Sequence, residues 1–245
     1  MPLPTAPKIS LRLTELEARE VPAAFTFVKG VFTINMADVA GHSVVVSSAS
    51  NGVVVINGRG SGGTNPHGPR YVRGVVNGKL HAASVTRIVV NGSDFNDGIN
   101  LSGVDTRAFR NLNGKVLING GGGNDTIYGT VFADEIHGGS GNDRIIAGDG
   151  NDRIFGEDGD DNIWGDGTAS YWDAHGANDR IDGGTGSDNL HGNGGSDLMV
   201  GGTGADLFYE TTGLADAIWI DSEDYVPRYA WNTIESVNTG TPPAI

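Results

Sequence analysis

Aspartates recur at intervals of nine residues along one part of the chain. They are Asp125, Asp134, Asp143, Asp152 and Asp161 and, after one double step, Asp179, Asp188, Asp197 and Asp206. Carboxylate oxygens are hard ligands that suit calcium. Most of these aspartates follow a glycine-rich turn, and glycine permits positive φ and close backbone approach, so that carbonyl oxygens can also face one point. The spacing therefore predicts a repeated site for a divalent cation.

An apolar residue stands two positions after every one of these aspartates. The nine are Ile127, Ile136, Ile145, Ile154, Ile163, Ile181, Leu190, Met199 and Phe208. A repeat this regular is typical of a solenoid, in which each unit buries its apolar side chain only by stacking on its neighbours. We number the repeat positions 1 to 9, so that the aspartate is at position 6 and the apolar residue at position 8. Positions 7 to 9 suffice for one short strand with its middle side chain pointing inward.

Two nonapeptides would form one coil, with turns on opposite sides. Alternate aspartates then lie on the same side, one strand spacing of about 4.8 Å apart. Their repulsion at an effective dielectric of ~20 costs on the order of several kcal/mol per pair. A divalent cation between the two carboxylates would turn that cost into a stabilising contribution. Counting same-side pairs predicts about six or seven Ca²⁺ ions in the saturated protein.

The most complete copy, Gly138–Ile146, reads Gly-Gly-Ser-Gly-Asn-Asp-Arg-Ile-Ile. It resembles the hemolysin-type, or RTX, calcium-binding nonapeptide repeat, and the resemblance extends over roughly 120–209. It implies an all-β fold, a right-handed parallel β-roll or β-helix solenoid with short turns and a C-terminal cap, with calcium ions in a column along each edge. The predicted metal ligands are Gly120, Gly122, Gly123, Asp125, Asp134, Gly138, Gly139, Ser140, Gly141, Asp143, Gly148, Asp149, Gly150, Asp152, Gly156, Asp158, Gly159, Asp161, Asp179, Gly183, Gly184, Thr185, Gly186, Asp188, Gly192, Gly194, Gly195, Asp197, Gly201, Gly202, Gly204 and Asp206.

The net charge of the chain lies in the repeat array. Residues 120–209 hold 17 of the 30 acidic residues but only three of the 16 Lys and Arg, which accounts for the whole formal net charge of −14. The acids are in phase with the glycines, which favours calcium binding over solubility alone as their explanation. So much charge around a thin core predicts an array that is largely unfolded without calcium. The expected dissociation constants are on the order of 10⁻⁴–10⁻³ M.

The copies are unequal. The copy Gly129–Asp134 keeps only its first glycine, which predicts a weak site. Nine surplus residues separate Asp161 from Asp179. They are either a degenerate repeat, 165–173, with Trp172 at the apolar position, or a loop at Thr168–Gly176. The loop is favoured because neither Thr168 nor Ala169 suits the turn geometry, and it would place Asp152 beside Asp179 and Asp161 beside Asp188.

The remainder of the chain reads as β structure with two ends. Short β-branched runs bounded by turn residues fill 31–118, which predicts irregular coils of the same solenoid, with a separate small β-sandwich as the alternative. One degenerate copy there has Asp97 and Ile99 in the expected positions. We expect 1–30 to be an N-terminal tail or targeting segment, 119–209 the calcium β-roll, and 210–245 a C-terminal cap and tail.

Motifs for catalysis are scarce. The chain has no zinc-protease His-Glu-x-x-His, no Gly-x-Ser-x-Gly elbow and no cysteine. His137 and His191 occupy the outward position 9 and are predicted to be solvated. We therefore predict a non-catalytic, exported, extracellular or cell-surface protein, a structural or adhesive module that binds calcium. Its expected partner is a cell surface, a polysaccharide or another copy of itself, with no nucleic acid and no membrane span. The alternatives are an accessory module of an exported hydrolase or polysaccharide-modifying enzyme, and a self-assembling fibre or coat subunit.

Overall fold

The computed structural model describes residues 9–10, 23–36, 43–48, 54–59, 71–75, 80–112, 116–167, 176–209, 216–226 and 234–242. Their regular structure is β, apart from one 3₁₀ turn at Ala82–Ser84. The strands are β1 (Ile9–Ser10), β2 (Ala23–Val28), β3 (Val31–Met36), β4 (Ser43–Ser48), β5 (Val54–Arg59), β6 (Tyr71–Val75), β7 (Arg87–Asn91), β8 (Gly98–Gly103), β9 (Val116–Gly122), β10 (Thr126–Tyr128), β11 (Asp134–Ser140), β12 (Arg144–Gly148), β13 (Arg153–Asp158), β14 (Asn162–Asp166), β15 (Arg180–Thr185), β16 (Asn189–His191), β17 (Leu198–Thr203), β18 (Leu207–Tyr209), β19 (Asp216–Trp219) and β20 (Ile234–Asn238).

Successive strands of the array alternate between two parallel sheets. The long sheet has the order β1-β2-β3-β7-β9-β11-β13-β15-β17-β19-β20, and the short sheet β18-β16-β14-β12-β10-β8-β4-β5-β6. From β7 to β19 every neighbouring pair in the long sheet is parallel, as is every pair from β8 to β18 in the short sheet. This is the predicted all-β, parallel solenoid. Each coil contributes one strand to each sheet.

The core lies between the two sheets. The position-8 residues of the array are fully buried: Ile127, Ile145, Ile163, Leu190 and Phe208 from the short sheet, and Ile136, Ile154, Ile181 and Met199 from the long sheet. They form one cluster with Ile118 and Ile218, which extend the long-sheet row at its two ends. The inward alternation inferred from the apolar period is therefore confirmed.

The strands of the long sheet exceed the three residues predicted for one repeat. In β11 the pairing continues past the apolar position through Gly139 and Ser140, which lie opposite Gly121 and Gly122 of β9. The sequence expectation was wrong in length, because it assigned positions 1 to 3 wholly to the turn. The short sheet keeps the expected three residues in β10, β16 and β18.

The strands that precede the array pair in both directions. β3 joins the parallel array through β7, whereas β1–β2 and β2–β3 are antiparallel. β4 is parallel to β8, and β5 and β6 follow it as an antiparallel meander. The degenerate copy at Asp97 occupies its expected register, since Ile99 pairs with Ile127. Within the described ranges, no helix is long and apolar enough to cross a membrane.

The array absorbs the nine surplus residues without a change of register. β13 pairs directly with β15, so that Ile154 lies beside Ile181, and β14 pairs directly with β16. Asp166 pairs with Gly148 on one side of the surplus residues, and the amide of Asn178 donates to Asn151 on the other. The surplus residues therefore do not form a degenerate repeat. The strand pairing on both sides of them is the one that the loop alternative predicts. Trp172, assigned to a core position or to a projecting loop, lies outside the described residues.

Candidate calcium sites

The position-6 aspartates form two ladders, one along each edge of the solenoid. In each step the backbone N–H of one aspartate donates to Oδ1 of the aspartate in the next coil, at 2.7–2.9 Å. One edge carries Asp125, Asp143, Asp161, Asp188 and Asp206, and the other carries Asp134, Asp152, Asp179 and Asp197. All seven predicted same-side pairs are thus in contact through hydrogen bonds.

In seven of these carboxylates the second oxygen is buried and accepts no hydrogen bond from the described residues. Among the described residues, none donates a hydrogen bond to Oδ2 of Asp125, Asp143, Asp152, Asp161, Asp179, Asp188 or Asp206. These side chains are also almost completely inaccessible to solvent. A buried carboxylate oxygen without a partner is costly, and a cation is the kind of group that compensates it. The residues therefore fit a metal ion.

Glycine at position 1 leaves room beside the orphaned oxygen. A Cβ added at Gly138 would overlap Oδ2 of Asp143, and a Cβ at Gly156 would overlap Oδ2 of Asp161. Within the described residues no three His, Asp or Glu side chains converge on one point. A cation in these turns would therefore need backbone carbonyl oxygens beside the aspartates, as calcium sites commonly have.

Positions 2 and 4 need backbone conformations that side chains rarely adopt. Gly139 and Gly141 have φ of 113° and 118°, and a Cβ on either would overlap a carbonyl oxygen of the preceding coil. These glycines allow carbonyl groups of adjacent coils to lie close together. Glu157 and Asn193 hold position 2 of their copies with smaller φ values of 76° and 71°, which are closer to the left-handed region that other residues adopt.

The position-3 residues point away from the turns. The side chains of Ser140, Asp149, Asp158 and Thr185 are exposed, and Thr185 Oγ1 donates to Asp158 Oδ1 at 3.0 Å on the outer surface. If these predicted ligands bind an ion in the turn, they do so through their backbone carbonyl oxygens and not through their side chains. The extra carboxylates of the acidic copies are surface charge in this structure.

Burial raises the pKa of the ladder aspartates far above the usual carboxyl range. Burial, reinforced by the charges of Asp134 and Asp179, raises the pKa of Asp152 to about 10. Burial likewise raises the pKa of Asp179 to about 9 and that of Asp161 to about 8. The charged form of each ladder is thus unfavourable by itself, and a bound divalent cation would favour it.

The ladder that starts at Asp125 extends beyond the predicted array at both ends. The amide of Asp97 donates to Asp125 Oδ1 at 2.7 Å, and the amide of Asp206 donates to Asp224 Oδ1 at 3.1 Å. Asp224 was missed by the sequence analysis, although its distance of 18 residues from Asp206 could have revealed it. Tyr225 follows in the position of a strand residue and forms a parallel bridge with Leu207.

The sequence analysis also missed a ladder of hydrogen bonds between the position-5 residues of adjacent coils. The amide of Asn142 donates to Asn124 Oδ1 at 2.9 Å, and the amide of Asp160 donates to Asn142 Oδ1 at 3.1 Å. The donors here lie in the later coil, whereas in the aspartate ladder they lie in the earlier one. The frequent asparagine immediately before the aspartate was the available signal.

The two histidines are not simply solvated. The ring of His191 stacks between Trp164 and Tyr209, with centroid distances of 4.8 and 4.3 Å. Its burial lowers its pKa to about 4. His137 stacks on Phe155 and lies 2.7 Å from a Glu157 oxygen. Position 9 therefore builds outer aromatic stacks, which the expectation of solvation overlooked.

In the comparison with protein families, the model of the RTX calcium-binding nonapeptide repeat, in four copies, matches residues 113–136, 137–169 and 173–208. Comparison with curated proteins and with solved structures gave no match. The matched segments coincide with the strands and turns that carry the two aspartate ladders. Residues 113–208 therefore carry RTX calcium-binding nonapeptide repeats, and repeats of this kind bind Ca²⁺.

Proposed function

We propose that the described turns hold calcium between same-side aspartates and that the bound ions stabilise the solenoid. The observation that carries the proposal is the row of buried Oδ2 atoms for which the described residues offer no hydrogen-bond donor. Calcium supplies the positive charge that these oxygens need. The position-1 and position-3 residues supply backbone oxygens, and the position-6 aspartates supply the charged ones.

Each protein group has a distinct task in this proposal. The amide-to-Oδ1 bond holds a carboxylate in a fixed orientation, as between Asp125 and Asp143 at 2.7 Å. Its Oδ2 is then left for the ion. The position-2 and position-4 glycines, such as Gly139 and Gly141, let adjacent turns approach. The buried position-8 residues keep the two edges at a constant separation.

We further propose that the module is non-catalytic, exported and extracellular. RTX repeats typically form structural calcium-binding domains of secreted proteins, and millimolar calcium outside cells suits an affinity on the order of 10⁻⁴–10⁻³ M. The proposed partner is a cell surface, a polysaccharide or a second copy of the chain. The proposed division is 1–30 tail, 31–118 irregular coils, 119–209 β-roll and 210–245 cap and tail. The antiparallel pairs among β1–β6 support an irregular segment before the β-roll.

Calcium stoichiometry and circular dichroism test the proposal together. The chelated chain is titrated with calcium while bound ions and β signal are measured on the same sample. We expect about six or seven ions per chain and a large gain of β structure. Binding of fewer than two ions, or the full β spectrum in EDTA with no response to calcium, would overturn it. Magnesium at equal concentration is the control, because it demands a stricter octahedral geometry and dehydrates reluctantly.

A further inference from the structure

Two turns in the ladders are closed by the hydroxyl group of a side chain. At Asp134 the position-2 residue is Thr130, whose amide donates to Asp134 Oδ2 at 2.6 Å and whose hydroxyl donates to Asp134 Oδ1 at 2.9 Å. Both oxygens of this carboxylate therefore already have donors within their own turn. The adjacent ladder carboxylate, Asp152, keeps an Oδ2 to which no described residue donates.

The turn at Asp97 is closed in a similar way, although both of its donors reach the same carboxylate oxygen. Its position-2 residue is Ser93, and both the amide and the hydroxyl of Ser93 donate to Asp97 Oδ2, at 2.7 and 2.9 Å. The two copies share a pattern: a hydroxyl residue at position 2, phenylalanine at position 4 and aspartate at position 6. They are Ser93-Asp94-Phe95-Asn96-Asp97 and Thr130-Val131-Phe132-Ala133-Asp134.

The backbone of these two turns also differs from that of the glycine turns. Positive φ is absent at positions 2 and 4 of both turns, which are Ser93, Phe95, Thr130 and Phe132. In the glycine turn of Asp143 the same positions, Gly139 and Gly141, both have positive φ. The hydroxyl closes the turn instead, because the amide of Phe132 donates to Thr130 Oγ1 at 2.9 Å and the amide of Phe95 donates to Ser93 Oγ at 3.3 Å. Such side-chain hydrogen bonds stabilise turns locally.

Their location is the same in both ladders. Asp97 is the first aspartate of the edge that continues through Asp125 and Asp143, and its amide donates to Asp125. Asp134 is the first aspartate of the edge that continues through Asp152 and Asp179, and its amide donates to Asp152. Each ladder, as far as the structure describes it, thus begins on a hydroxyl-closed turn.

We propose that the Ser93 and Thr130 hydroxyls take the place of calcium, so that each column of ions starts on a turn that binds no ion and keeps its shape without one. This inference rests on the proposed calcium function of the other turns. In this proposal the first turn of each ladder keeps its structure without a metal ion. The amides of Asp97 and Asp134 are held at that end, ready to donate to the first carboxylate of each calcium column.

The physical reason is the supply of donors. A buried carboxylate needs either a cation or enough hydrogen bonds. Thr130 gives Asp134 two donors from one residue, and no glycine at position 2 could do so. Phe132 adds apolar contact, since it packs against the core.

Glycine substitutions in the full chain give a sharp test. Thr130→Gly with Phe132→Gly creates Gly-Gly-Val-Gly-Ala-Asp, and Ser93→Gly with Phe95→Gly creates Gly-Gly-Asp-Gly-Asn-Asp, both complete glycine patterns. We expect each double substitution to bind one calcium ion more than the parent chain, and the combination to bind two more. An unchanged stoichiometry in double variants that fold would overturn the inference. A parent chain that binds no calcium would instead overturn the proposed function.

A conservative variant covers the case in which the glycine variants fail to fold. Thr130→Val keeps the shape but removes the hydroxyl donor, and Thr203→Val removes an exposed position-3 hydroxyl as the matched control. We expect Thr130→Val to raise the calcium concentration at half-folding several-fold, with the number of bound ions unchanged, and Thr203→Val to leave both as they are. Equal midpoints for the two variants, or an ion lost only in Thr130→Val, would contradict a hydroxyl that replaces calcium.

Discussion

The backbone amide of Asp125 donates a 2.7 Å hydrogen bond to Oδ1 of Asp143, 18 residues later in the chain. The same bond joins Asp161 to Asp188 at 2.8 Å, although 27 residues separate them. One carboxylate oxygen is thus assigned to the neighbouring coil, and the other is left for an ion. The array therefore preserves the hydrogen-bonded geometry of the aspartate pair, even where the number of residues between the two aspartates changes.

Removal of a shared aspartate should cost more than removal of a terminal one. Asp143 is linked to Asp125 on one side and to Asp161 on the other. Asp134 is linked onward only to Asp152 and is satisfied by Thr130. We expect Asp143→Ala to lower the number of bound calcium ions by up to two and Asp134→Ala to leave it unchanged. Indistinguishable calcium titrations of the two variants would rule out shared ligands.

A methyl group in the turn should block the approach of adjacent coils. Gly139 has φ of 113°, and an added Cβ would overlap the carbonyl oxygen of Gly121. We expect Gly139→Ala to destabilise the calcium-bound protein by about 1–3 kcal/mol or more, from strain and displacement of the backbone. Gly167→Ala is the control, because a Cβ there meets nothing within 4 Å. Urea unfolding in saturating calcium measures both, and equal midpoints would contradict the close packing.

Acid should partly replace calcium. Burial raises the folded-state pKa of Asp161, Asp179 and Asp152 to about 8, 9 and 10, whereas an unfolded Asp titrates near ~3.9. A raised pKa contributes stability that is full below the unfolded value and is lost as pH rises through the folded values. The chelated array should therefore gain β structure as pH falls from 9 to about 5.5, still above the isoelectric point of 4.6. A chelated protein that loses β signal on this acidification would contradict the prediction.

With calcium bound the pH dependence should reverse. The ions hold the aspartates in the charged form, so protons compete with calcium for the same oxygens. We expect the apparent calcium affinity to fall as pH is lowered from 8 to 6, with proton uptake on calcium release. Isothermal titration in two buffers of different ionisation enthalpy measures that proton exchange. An affinity independent of pH would show that the ladder aspartates are not the ligands.

Deletion of the surplus loop should leave a foldable array. Removing Thr168–Gly176 joins Gly167 to Ala177, and the pairing of Asp166 with Gly148 and of Asn178 with Asn151 fixes the register on both sides. We expect the deletion variant to retain its calcium-induced β spectrum and its number of ions. Adding Ala177→Gly to the deletion restores a glycine at position 4 and should raise the calcium affinity. A large loss of β structure in both variants would contradict the loop assignment.

The regular part of the array could be predicted because its physics is local and repeated. The nine-residue period places Ile136 beside Ile154 and Asp143 beside Asp161. One buried apolar residue and one aspartate per repeat determine that register, since a shift of one residue would expose the first and displace the second. The same reasoning favoured the loop over a degenerate coil.

Other features depend on contacts that a period does not show. In the sequence, the missing glycines of the Asp134 copy indicate only a weak site. The structure shows a different kind of turn, in which the hydroxyl of Thr130 donates to Asp134. Asp224 keeps the 18-residue distance from Asp206 but lies beyond a gap in the glycine and apolar pattern, and its ladder bond to Asp206 identifies it. The environment of His191 depends on which rings stand at position 9 in the neighbouring coils, Trp164 and Tyr209.

The coil that separates Asp125 from Asp143 also stores length. Its 18 residues advance the folded solenoid by one strand spacing, about 4.8 Å, whereas the same residues fully extended span about 60 Å. Loss of the ions from one coil therefore frees a segment whose greatest possible reach is roughly twelve times its folded rise. The calcium concentration around the protein would in this way set the distance that the chain reaches between the segments on either side of the array.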